Sequence, residues 1–123
     1  MAATDWTPIA KGATRALEEL DEVARRASAA IRERIPDWSL WRDGVPNGET
    51  AAQVAARADR VIERALETDG DTLLFSHGHL LRVLAARWLG LDPSEGRLLL
   101  LSPGSISELG WEREQRVLTR WNS

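Results

Sequence analysis

From Thr7-Pro8 onward the apolar positions Ala13, Leu17, Leu20, Ala24, Ala27 and Ile31 recur at alternating spacings of four and three. That spacing predicts a helix over 8–34 with a narrow apolar seam, its other faces carrying Glu18, Glu19, Asp21, Glu22, Arg25 and Arg26. The seam has heptad form, so it suits packing on its own domain or pairing with a second chain. Pro36 ends the pattern. Residues 36–49, PDWSLWRDGVPNGE, read as a structured loop with one short helical turn. Thr50 and Gln53 form a capping box for a second helix, with Val54, Ala58, Val61, Ile62, Ala65 and Leu66 on one face and Asp69-Gly70-Asp71 breaking it.

Residues 72–75, TLLF, lack polar alternation, as in a strand buried on both faces. Helical spacing resumes from Leu80 to Leu89 and stops at Gly90. Residues 97–102, 105–111 and 117–121 read as three further strands, with Pro103-Gly104 and Glu112 to Gln115 as turns. The order α, α, β, α, β, β, β describes an α/β chain of one domain, 1–123.

Composition narrows the function classes. The net charge of −3 is spread along the chain and gives no nucleic-acid or anionic-membrane footprint. No window approaches a bilayer span. With no cysteine there is no disulfide framework or thiolate chemistry, and the expected compartment is the cytoplasm. No cofactor is called for.

The chemistry concentrates at Ser76-His77-Gly78-His79, which holds both histidines of the chain. A strand that turns into a helix through glycine leaves the first helical N–H groups unpaired, beside the positive end of the helix dipole. His77 at the strand's carboxyl end can donate to a phosphate oxygen, and Gly78 lets the backbone approach a ligand. The alternative is a histidine that caps or packs. His79 is left between a rim contact and a solvated first-turn residue. His-x-His lacks an evident third ligand, with neither Asp43 nor Glu49 placed by spacing, so no metal site is expected. Trp38 and Trp41 could line a substrate mouth or pack within the loop.

Several stretches, taken in order, resemble the histidine phosphatase superfamily in its phosphoglycerate mutase-like branch. They are Pro36-Asp37-Trp38 with Trp41 and Asp43-Gly44, then Gly48-Glu49-Thr50, then a helix bearing Arg57 and Arg60. Leu73 to His79 with Arg82, then Ser105-Ile106, and a last strand ending at Asn122 complete the set. The match covers 36–123, with 8–34 as an added N-terminal helix. The resemblance implies an α/β, phosphoglycerate mutase-like fold, here a reduced mixed sheet flanked by helices. It also implies phosphomonoester chemistry through a phosphohistidine without a metal, with His77 as the second histidine of the site and His77, Gly78 and His79 contacting substrate.

The nucleophilic histidine of that family lies in an Arg-His-Gly strand, and this sequence contains no Arg-His-Gly. The clamping arginines and the acid-base carboxylate likewise find no counterpart. The expectation is therefore a family protein that binds a small phosphorylated molecule or inorganic phosphate, with phosphomonoester hydrolysis left open and its missing groups then coming from a second subunit. The alternatives are a non-catalytic phosphate-binding or interaction module and a truncated fragment. Loss of a neighbouring strand would expose an edge at 72–75. A homodimer could then form through that edge or through the seam helix.

Overall fold

A computed structural model describes residues 26–27, 29–44 and 48–123. The start of the expected seam helix, with Ala13, Leu17, Leu20 and Ala24, lies outside the described residues. Residues 29–34 are helical and the helix stops before Pro36, with Ile31 half-buried and Ala27 exposed.

The loop that follows contains helix α1 (Leu40–Asp43). Trp38 is buried, and its indole Nε1 donates to the Gly44 carbonyl at 2.9 Å. It therefore packs the loop. Helix α2 (Ala51–Glu67) begins at the expected capping box. Thr50 Oγ1 accepts from Gln53 N at 3.2 Å and Gln53 Oε1 accepts from Thr50 N at 2.8 Å. Helix α3 (Gly78–Trp88) closes through Gly90 at φ 76°, whose N–H donates to Arg87 O while Leu91 N donates to Ala86 O. Both bonds satisfy carbonyls that a helix end would otherwise orphan.

Val54, Ala58 and Ile62 of α2 meet Val83, Leu84 and Trp88 of α3 to form the core. Leu66, expected on the same face, is 47% exposed because the helix ends one residue later.

The strand expectations need correction. Residues 93–98 form a 3-10 turn, with Asp92 accepting from Ser94 N at 3.0 Å and Pro93 at its start, so no strand runs over 97–102. The next strand begins three residues later than expected, at Glu108. It is β1 (Glu108–Glu112), paired antiparallel with β2 (Gln115–Arg120) around Arg113 at φ 54°. The hairpin is fixed to α3 by Trp88, whose Nε1 donates to Val117 O at 3.1 Å and Gly110 O at 3.3 Å. Residues 72–75 enter no ladder among the described residues. An apolar, unalternating run reads as a buried strand, but a ladder needs a neighbouring strand and none is described beside it.

Candidate functional site

The chain turns from the 72–75 segment into α3 at His77. Its backbone is extended (φ −84°, ψ 154°), and its carbonyl accepts the first bond of the helix from Leu81 N at 3.0 Å. The His77 imidazole makes no capping bond, is exposed, and has no hydrogen bond or ion pair with any described residue. A Cβ built on Gly78 would meet nothing within 4 Å, so the space beside the first turn is open.

His79 is used differently. Its ring packs tilted against Trp41 at 4.3 Å between centroids. Burial, and secondarily the Arg82 charge, lower its pKa below the ordinary 6.5. Near neutral pH it is an uncharged packing group. Arg82, one turn along α3, donates from Nε to Gly96 O at 3.1 Å and from Nη2 to Arg97 O at 2.9 Å. Its guanidinium lies 4.8 Å from the Trp41 ring centroid.

Trp41, Arg42, Glu49, Thr50, His79 and Ser94 border an open cleft of about 280 Å³ over Val54 and Val83; His77 is not among its lining residues. The structure thus separates the two histidines, one residue apart in sequence, one toward the cleft and one toward open solvent. The cleft's arginine is engaged: Arg42 pairs with Asp43 at 3.0 Å and donates to the Asp37 carbonyl. The Arg42 hydrogen bond, with that of Ser39 N–H, holds the Asp43 carboxyl below its ordinary range. Arg57 pairs with Glu49 at 2.6 Å. Among the described residues no three His, Asp or Glu side chains gather as a metal site.

Sequence reasoning missed the 3-10 turn that borders the cleft. Asp92-Pro93-Ser94 is a cap followed by proline, the signal that could have found it. At the far end, Asn122 joins the last strand to the preceding loop. Its Oδ1 accepts from Ser102 N at 2.8 Å and its N–H donates to Ser107 Oγ at 2.9 Å.

Residues 12–123 match the family model of the histidine phosphatase superfamily (branch 1). The chain belongs to that superfamily. The match begins at residue 12, within the segment 8–34 that the motifs left outside the resemblance. An acid phosphatase of Mycobacterium tuberculosis is 42% identical over 90 residues, covering 72% of this chain and 44% of that protein. A functionally characterised open reading frame product of the same organism has a solved structure that superposes with a TM-score of 0.73 at 39% identity. It covers 77% of this chain and 50% of its own. The alpha-ribazole phosphatase of Shigella flexneri superposes with a TM-score of 0.59 at 25% identity, over 86% of this chain and 50% of its own. The chain therefore has the α/β fold of phosphoglycerate mutase-like histidine phosphatases, and it spans about half the length of these relatives. No helix among the described residues is long and apolar enough to cross a membrane.

Proposed function

We propose that the turn Ser76–His79 binds the phosphoryl group of a phosphomonoester, or inorganic phosphate, with His77 as its side-chain donor. One observation carries this reading. In a member of a phosphatase superfamily, His77 is exposed and unengaged at the start of an 11-residue helix. The amides of Gly78, His79 and Leu80 precede the first intrahelical N–H bond, so they are available to an anion. A protonated imidazole adds charge-assisted donation.

By itself this chain binds the phosphoryl group and does not turn it over. Transfer through a phosphohistidine, with a second histidine stabilising the phosphoryl oxygens, takes two free imidazoles. The sequence has only His77 and His79, and the second is committed to Trp41. His77 keeps the role of the second histidine.

Titrating inorganic phosphate into the 15N-labelled chain tests the binding. Saturable shifts of the Gly78 and His79 amides, absent in His77→Ala, are expected; amides that do not move would overturn the site. Hydrolysis of an aryl phosphate between about pH 5 and about pH 7 tests the rest. Turnover above a heat-killed control that His77→Ala removes would make the chain an enzyme as it stands.

A further inference from the structure

Leu73, Leu74 and Phe75 are 42%, 40% and 47% exposed, and residues 72–75 enter no ladder among the described residues. The segment also has an internal symmetry. Reading outward from Leu74, Leu73 mirrors Phe75, Thr72 mirrors Ser76, and Asp71 mirrors His77.

We propose that two copies of this chain associate by pairing residues 71–77 antiparallel, about a two-fold axis through Leu74. In that register Leu74 faces Leu74, each Leu73 faces Phe75, each Thr72 faces Ser76, and each Asp71 faces His77. The pairs are complementary: aliphatic with aliphatic at the axis, then aliphatic with aromatic, hydroxyl with hydroxyl, and carboxylate with imidazole. Side chains alternate along a strand, so Asp71, Leu73, Phe75 and His77 share one face of the ribbon. The other face carries Thr72, Leu74 and Ser76.

Pair chemistry disfavours two rival arrangements. A parallel, in-register pair would set Asp71 on Asp71 and His77 on His77. A slip of one residue would set Asp71 against Ser76 and leave His77 opposite Gly70. The register centred on Leu74 sets Asp71 against His77 at both ends, as an isologous contact must. The contact is short, so the association is weak and reversible. It does not depend on His77 binding phosphate, but the two compete for the same imidazole, so phosphate should weaken the dimer.

The chain has no cysteine, so single-cysteine variants report the register directly. Leu74→Cys places two thiols at the axis, within disulfide reach. Asp71→Cys places them roughly 20 Å apart, beyond reach. Under mild oxidation Leu74→Cys should form a covalent dimer and Asp71→Cys should not. Equal cross-linking of both, or of neither, would overturn the register.

Sedimentation of the unmodified chain from about 10 μM to about 1 mM should show a concentration-dependent dimer. A strict monomer over that range would overturn the association, and would mean that the edge is covered by another segment or protein. Asp71→Lys should weaken the dimer about tenfold, and Asp71→Lys with His77→Asp should restore it, because the double variant sets an ammonium opposite a carboxylate. A dimer indifferent to both changes would also overturn the proposal.

Discussion

The ring of His79 lies 4.3 Å from that of Trp41, tilted by 44°, and this contact joins the 36–49 loop to α3. It also governs a titration. Burial comes first and the neighbouring Arg82 charge second in lowering the His79 pKa below 6.5. The unfolded chain therefore binds this proton more readily than the folded one. Neutral His79 contributes stability that is fully present above the unfolded value of 6.5 and is lost as pH falls through the lowered folded value. Urea midpoints should fall between about pH 7.5 and about pH 5. Removing His79 with His79→Gln should flatten that fall, and an unchanged pH dependence would assign it elsewhere. Trp41→Ala should raise the His79 pKa toward 6.5 in an NMR titration.

Gly96 is buried beneath the same indole. A Cβ there would come within 2.9 Å of two Trp41 ring atoms and 3.0 Å of the Arg82 backbone. Neither a packed ring nor a helix backbone gives way cheaply. Gly96→Ala should destabilise by about 1–3 kcal/mol. Denaturant unfolding of Gly96→Ala alone and with Trp41→Ala measures it, and the penalty should shrink when the ring is gone.

The parts legible in sequence were those set by local pattern. Thr50 and Gln53 marked the start of α2, and Val54, Ala58 and Ile62 its buried face. Gly90 marked the end of α3. What was not legible depended on partners distant in sequence. The apolar run 97–102 read as a strand because its Leu residues alternate with nothing polar. Yet Arg82 takes the carbonyls of Gly96 and Arg97, and the Asp92 cap starts a 3-10 turn instead. The run at 72–75 had the composition of a strand, which alone makes no ladder. The turn carrying His77 was plain in sequence, whereas the divergence of His77 and His79 rests on Trp41, to which no local spacing points.

Trp88 holds the β1–β2 hairpin on α3 through one indole N–H shared between Val117 O and Gly110 O. Trp111 packs edge-on at 5.3 Å, and the Arg116 guanidinium lies 4.7 Å from the Trp88 ring centroid. Trp88→Phe keeps an aromatic ring but removes the donor. The expected cost is about 1–2 kcal/mol. Hydrogen exchange locates it: amides of β1 and β2 should exchange faster, while those of α2 keep their protection. Uniform acceleration would mean that the hairpin and helices open together.

Arg82 decides whether the cluster around Trp41 is structural or part of the anion site. Its Nε and Nη2 groups already serve the Gly96 and Arg97 carbonyls. A lysine carries one ammonium and cannot reproduce the two-armed donation. Arg82→Lys should therefore lower stability by about 1–2 kcal/mol, because a carbonyl of the 3-10 turn loses its partner. It should leave the affinity for inorganic phosphate within about twofold of the unmodified chain, since His77 and the first amides of α3 are untouched. A stability loss with phosphate affinity intact is the expected pair of results. Loss of phosphate affinity in a variant that stays folded would instead make Arg82 a phosphate ligand and move the binding site toward the cleft lined by His79.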